Sequence, residues 1–177
     1  MTDQEFRAIY PSVFGWVQHT LSQYTPAARP VNSLGFRRLP DFYDADTLAK
    51  AKAVAVDRVP VPPLSAMGLG RFADFERMDA AGITYLDTYF LRADQAWDES
   101  LHFHELVHVI QWRILGPEGF LAAYADGLER FGYRGSPLEV MAYDLQARFD
   151  AHQTPFEVAV EVEAQLHRKP TWPEAEA

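Results

Sequence analysis

The chain has 177 residues, with 16 Lys and Arg against 25 Asp and Glu, a formal net charge of −9 with His neutral. At 48% hydrophobic and 23% charged, it can bury a core of single-domain size and is not a disordered polymer; the acidic balance excludes a nucleic-acid-binding face of clustered Lys and Arg. No apolar run approaches the roughly 20 residues of a membrane span, the N-terminus has no basic segment ahead of an apolar core, and the absence of cysteine removes disulfides, thiol nucleophiles and Cys-ligated metals.

These properties predict one domain over residues 1–177, cytoplasmic, with neither nucleic acid nor membrane as partner. Val13, Phe14, Val17, Leu21 and Tyr24 recur at helical spacing and predict a helix from Pro11 to Tyr24, with the proline in its first turn. Residues 25–44, with Pro26, Pro30, Gly35 and Pro40, read as loop. A short helix is expected from Asp46, and a strand over 53–59 that Pro60, Pro62 and Pro63 end. Residues 72–78 are ambiguous, whereas 82–91 (GITYLDTYFL) has the richest β composition in the chain and predicts a strand.

After a polar loop, Leu101–Leu115 lacks Gly and Pro and predicts a helix capped by Asp98 or Ser100. Gly116-Pro117 stops it and starts another, to about Phe131; Gly132 to Gly135 reads as a turn, and a further helix starts at Ser136. The last element, Pro155 to Lys169, reads as a helix rather than a strand, because Thr154-Pro155-Phe156-Glu157 has the form of a capping box. The fold expected is α+β, helix-rich, with a small β-sheet preceding the helix of 101–115.

That helix contains His104-Glu105-Leu106-Val107-His108, an HExxH. Residues i and i+4 project from one helical face, so two imidazoles can converge on one cation. Glu105 stands about 100° round the helix, able to reach a water on the cation without ligating it. His and carboxylate ligands with an open position point to zinc. The spacing also arises by chance, and the plain alternative is a buried helix whose histidines pair internally. Against that, Phe103, Leu106, Val107 and Ile110 share one arc of the helix, while His104 and His108 share another with Gln111.

A catalytic zinc wants a third protein ligand. His102 points about 200° away from His104 and cannot join it. Glu139, opening the helix after the GYRGS turn, is the best-placed carboxylate. Ser136-Pro137-Leu138-Glu139 is equally a capping box, in which Glu139 would reach back to the Ser136 N–H. Glu118, Asp126, Glu129 and Asp144 are the fallback ligands.

HELVH on one helix and Glu139-x-x-Ala142 on a later one resemble the gluzincin type of zinc metallopeptidase. The stretch from Gly82 to Gln146 is also similar to a group of small bacterial HExxH proteins. The resemblance implies a zincin-like domain with zinc on His104, His108 and Glu139, Glu105 as general base, a peptide or protein as substrate, and extended peptide added along the strand before the motif helix. Many such enzymes carry an aspartate four residues after the glutamate; here Tyr143 holds that place and Asp144 follows. Tyr143 is the candidate for stabilising the oxyanion, with Tyr133, Arg134 and His102 as alternatives. Asp144 and Asp87 are candidates for orienting the imidazoles. Two other classes stay open: a zinc-binding regulatory or interaction module without peptidase activity, and a metal-free helical interaction domain.

Overall fold

The computed structural model describes residues 1–167 and is α+β: a small mixed sheet sits among helices that carry most of the chain. Helix α1, Asp3–Tyr24, begins eight residues before the expected start. A capping box absent from the sequence reading supplies its N-terminus: the Thr2 hydroxyl accepts from Glu5 N–H, and the Glu5 carboxylate accepts from Thr2 N–H. Pro11 therefore lies inside the helix. Its missing N–H is tolerated because Phe6, Ile9, Tyr10 and Val13 extend the apolar face through the proline onto a common cavity wall.

Strand β1 (Arg29–Pro30) breaks the expected loop, helix α2 (Ala45–Lys50) follows an Asp44 cap, and β2 covers Lys52–Val56. The ambiguous stretch resolves as helix α3, Ala73–Arg77. The single strand expected over 82–91 is instead a hairpin of β3 (Gly82–Tyr85) and β4 (Thr88–Arg92). Its turn is Leu86-Asp87, with Leu86 at φ 58. Tight hairpin turns ordinarily advertise themselves through Asn-Gly or Asp-Gly, and this one does not. The sheet order is β1-β2-β4-β3, with β2 and β4 parallel and the other pairs antiparallel, so β3 is an edge strand.

Helix α4, Glu99–Gly135, is capped by Asp98, whose carboxylate accepts from Ser100 and Leu101 N–H. It is broken twice by glycines in the left-handed region, Gly116 at φ 67 and Gly132 at φ 70. The first break is the expected Gly-Pro junction; the second replaces the expected turn by a kink. Helix α5, Pro137–Asp150, folds back on α4. Gly127 permits that approach, since a Cβ there would lie 2.4 Å from Ser136 Oγ and 2.9 Å from Pro137 Cδ.

Helix α6 is Val158–His167, so the helical reading prevails over the strand, but the capping box at Thr154 does not form. Phe156 packs on Phe42 and under the Arg148 guanidinium, and Val158 N–H donates to the Phe42 carbonyl, which holds 153–157 in an irregular path. Residues 168 and 169 of the expected helix lie outside the described residues. Between sheet and helices, Phe103 stacks on Phe149 with ring centres 4.6 Å apart, surrounded by Phe42, Leu106, Leu145 and Val162. Among the described residues no helix is long and apolar enough to cross a membrane.

Candidate metal centre

The first turns of α4 run through the protein interior, with every residue from His102 to Trp112 buried. His104, Glu105 and His108 are only 3–5% exposed, and Glu139 is 2% exposed. Burying four ionisable side chains together is costly unless they are paired or bind a cation. Phe103, Leu106, Val107 and Ile110 do face the core, as their shared arc predicts, and the two histidines face Glu139 and Gln146 of α5.

The three expected ligands meet. His104 Nε2 and His108 Nε2 are 3.1 Å apart, Glu139 Oε2 is 3.4 Å from the first, and Glu139 Oε1 is 3.4 Å from the second. Neighbouring ligands of a tetrahedral zinc with bonds of about 2.0–2.1 Å stand about 3.3 Å apart. Among the described residues, His104, His108 and Glu139 form a group able to hold a metal ion. Glu118, Asp126, Glu129 and Asp144 are exposed and lie outside it.

Hydrogen bonding fixes what these atoms offer. Gln111 donates its amide N–H to the Leu138 carbonyl, which turns its Oε1 toward His108 Nδ1 at 2.8 Å. Gln146 likewise donates to Ser100 Oγ and sets its Oε1 3.0 Å from His104 Nδ1. Each neutral imidazole then carries its proton on Nδ1 and presents an Nε2 lone pair to its neighbour. The buried Glu139 Oε2 has no hydrogen-bond partner. Two lone pairs and a carboxylate aimed at one point repel unless a cation lies between them, so the donor set fits a divalent metal with N and O ligands.

Without a metal, a proton is the cation at hand. Burial opposes charge on His108, but the Glu139 carboxylate raises its pKa to about 9, aided by Gln111. Burial works against the Glu139 anion too, yet His108 and His104 hold its pKa far below the ordinary carboxylate range.

Glu139 does not cap its helix. Ser136 N–H donates to the Tyr133 carbonyl, and Ser136 Oγ has no hydrogen-bond partner. Tyr124 instead steadies Glu139, its hydroxyl donating to Oε1 at 2.7 Å. Gln111, Gln146 and Tyr124 thus do the orienting expected of Asp144 and Asp87. Asp144 is exposed on the outer side of α5, and Asp87 sits in the hairpin turn, where its carboxylate accepts from Thr88 Oγ1. Gln111 could have been found in the sequence, because it shares the arc of the two histidines. Gln146 and Tyr124 carried no such signal.

Glu105 stands apart from the trio, toward the sheet. Thr84 Oγ1 on β3 donates to its Oε2 at 2.6 Å. Burial raises its pKa, while the two histidines and Thr84 pull it back. Gly82 lies opposite, and a Cβ there would displace the carboxylate, since it would lie 2.3 Å from Glu105 Oε1. The Thr84 carbonyl accepts from Trp112 Nε1 at 3.1 Å, so the free edge of β3 is already partly occupied at this residue.

The Tyr143 ring packs at a tilt on His104, with centres 4.6 Å apart, and the guanidinium of the exposed Arg134 lies over the Tyr143 ring. Tyr133 lines the cavity that Glu105, His108 and Glu139 also line, and burial followed by Glu139 and Glu105 raises its pKa strongly. His102 donates from Nε2 to the Ala96 carbonyl and accepts from the Tyr89 hydroxyl at Nδ1, which uses both nitrogens away from the centre.

Compared with protein-family models, curated proteins and solved structures, the chain has no significant match.

Proposed function

We propose that the protein is a zinc-dependent hydrolase that cleaves peptide bonds. The observation that carries this reading is the division of labour in one helical turn: His104 and His108 turn bare Nε2 atoms toward the orphaned Glu139 oxygen, while Glu105 is held apart from them by Thr84. His104, His108 and Glu139 would hold the ion. Zinc at such a site lowers the pKa of a bound water to about 7 and polarises a carbonyl.

The chain's own residues supply the rest. Glu105, raised by burial, takes the proton of the attacking water and returns it to the leaving amine. Thr84 fixes which carboxylate oxygen is free to do so. Tyr133, in the wall of the cavity that Glu105 also lines, is the candidate donor to the developing oxyanion, with Tyr143 against His104. The substrate backbone lies along β3, the edge strand whose Thr84 holds the base. We take the setting to be the cytoplasm, the compartment that composition favours.

The second reading is a zinc-binding regulatory or interaction module that does not cleave peptides. It is favoured by the Trp112 bond to the Thr84 carbonyl, which removes one of the few β3 groups a peptide would pair with.

Protein purified without added zinc should carry about one zinc per chain. Glu105→Gln should keep that metal and abolish turnover of an internally quenched peptide library with randomised central residues. His104→Ala should lose the metal. Wild-type protein that holds zinc and leaves the whole library intact leaves only the second reading, and protein that binds no zinc ends both.

A further inference from the structure

Beside the metal centre lies a cavity of about 110 Å³. Glu105, His108 and Glu139 line it together with Thr84, four tyrosines and a majority of apolar side chains. One wall is α1, through Phe6 and Tyr10. A second is the segment around α3, through Phe72 and Phe75. A third is the part of α4 after Gly116, through Leu121 and Ala125. Its volume is of the order of the ~150 Å³ engineered cavity that accepts benzene. Among the described residues no Lys or Arg lines it, the ammonium of the lining Met1 is paired with Glu129, and its only carboxylates are those of the centre itself. A charged group placed there would be desolvated without a partner, whereas an aromatic or branched aliphatic group would meet carbon on three sides.

We infer that this cavity is the subsite for a large apolar side chain, aromatic or branched aliphatic, on the substrate residue adjoining the scissile bond. The inference rests on the hydrolase reading above and adds its specificity. Two facts carry it. The general base and two of the three ligands line the cavity, so its occupant lies next to the reacting carbonyl. Strand β3 runs along the same space through Gly82, Ile83 and Thr84, so a backbone laid beside β3 drops alternate side chains toward it.

The test uses the zinc-loaded full chain and three hydroxamates that share a metal-binding head: acetohydroxamate, 3-phenylpropanohydroxamate and the monohydroxamate of succinate. Calorimetry should show the phenyl compound binding about 10–100-fold more tightly than acetohydroxamate, as burial of one aromatic group predicts, with no gain for the anionic one. Ala125→Phe should fill the cavity and bring the phenyl-to-methyl ratio back towards unity. In the wild type, phenyl protons should show nuclear Overhauser contacts to Phe72 and Leu121, which needs no variant to fold. Acetohydroxamate binding with no phenyl preference, or a preference without those contacts, overturns the subsite and spares the metal reading. Failure to take up zinc overturns both.

Discussion

Gln111 Oε1 faces His108 Nδ1 at 2.8 Å while the same amide donates to the Leu138 carbonyl at 3.0 Å. The backbone of α5 therefore decides which nitrogen of His108 carries the proton. A fixed tautomer and ring orientation are what a metal-binding imidazole needs, and loss of such an outer partner costs about 10–100-fold in metal affinity. Gln111→Leu keeps the volume and removes the acceptor. Competition against a chromophoric chelator should show zinc held that much more weakly, with the helical circular dichroism unchanged. Affinity equal to wild type would mean the amide does not set the tautomer.

The proton on His108 and the metal compete for one site. With a pKa of about 9 in the metal-free protein, His108 is protonated at neutral pH, and zinc must expel that proton. Calorimetric titrations in buffers of different ionisation enthalpy should report about one proton released per zinc near neutral pH, and the affinity should climb about tenfold per pH unit until pH 9. A pH-independent affinity over that range would show the ion does not displace this proton.

The same pair makes the metal-free fold pH-dependent. His108 is raised from 6.5 to about 9, so its stabilisation is complete below 6.5 and fades as pH rises through 9. Glu139 is held below its ordinary 4.5, so its contribution is present above 4.5 and disappears as pH falls below that value. One interaction underlies both shifts and counts once, on the order of 3 kcal/mol by the size of the His108 shift. In chelator, the melting temperature should peak between pH 4.5 and 6.5 and decline toward pH 9. A flat or rising profile across 6.5–9 would contradict the buried pairing.

Gly82→Ala asks whether the base must sit where it does. The added Cβ would lie 2.3 Å from Glu105 Oε1, the far end of a flexible side chain, so the fold can absorb it by moving the carboxylate. Misplacing a catalytic group by about 1 Å costs about 10²-fold in rate. Turnover of the quenched-peptide library should fall by that order while zinc content and melting temperature stay near wild type. Unchanged turnover would remove Glu105 from the proton-transfer role.

Local sequence was enough for the helix at 101–115, a cap at Asp98 or Ser100, the break at Gly116-Pro117 and the spacing that sets His104 and His108 on one face. Each of these depends on neighbours a few residues apart, and side-chain chemistry acts over that range without help from the fold. It also singled out Glu139, but left ligand and cap open, since both use the same carboxylate. Tertiary structure decided between them: Gly127 lets the start of α5 approach α4, Ser136 N–H goes to Tyr133, and the carboxylate is left to the imidazoles. The edge position of β3, the Thr84 contact to Glu105 and the orienting roles of Gln146 and Tyr124 join residues 15 to 42 positions apart. No periodicity spans such separations; only the packing of α4 against α5 and the hairpin brings those atoms within hydrogen-bonding distance.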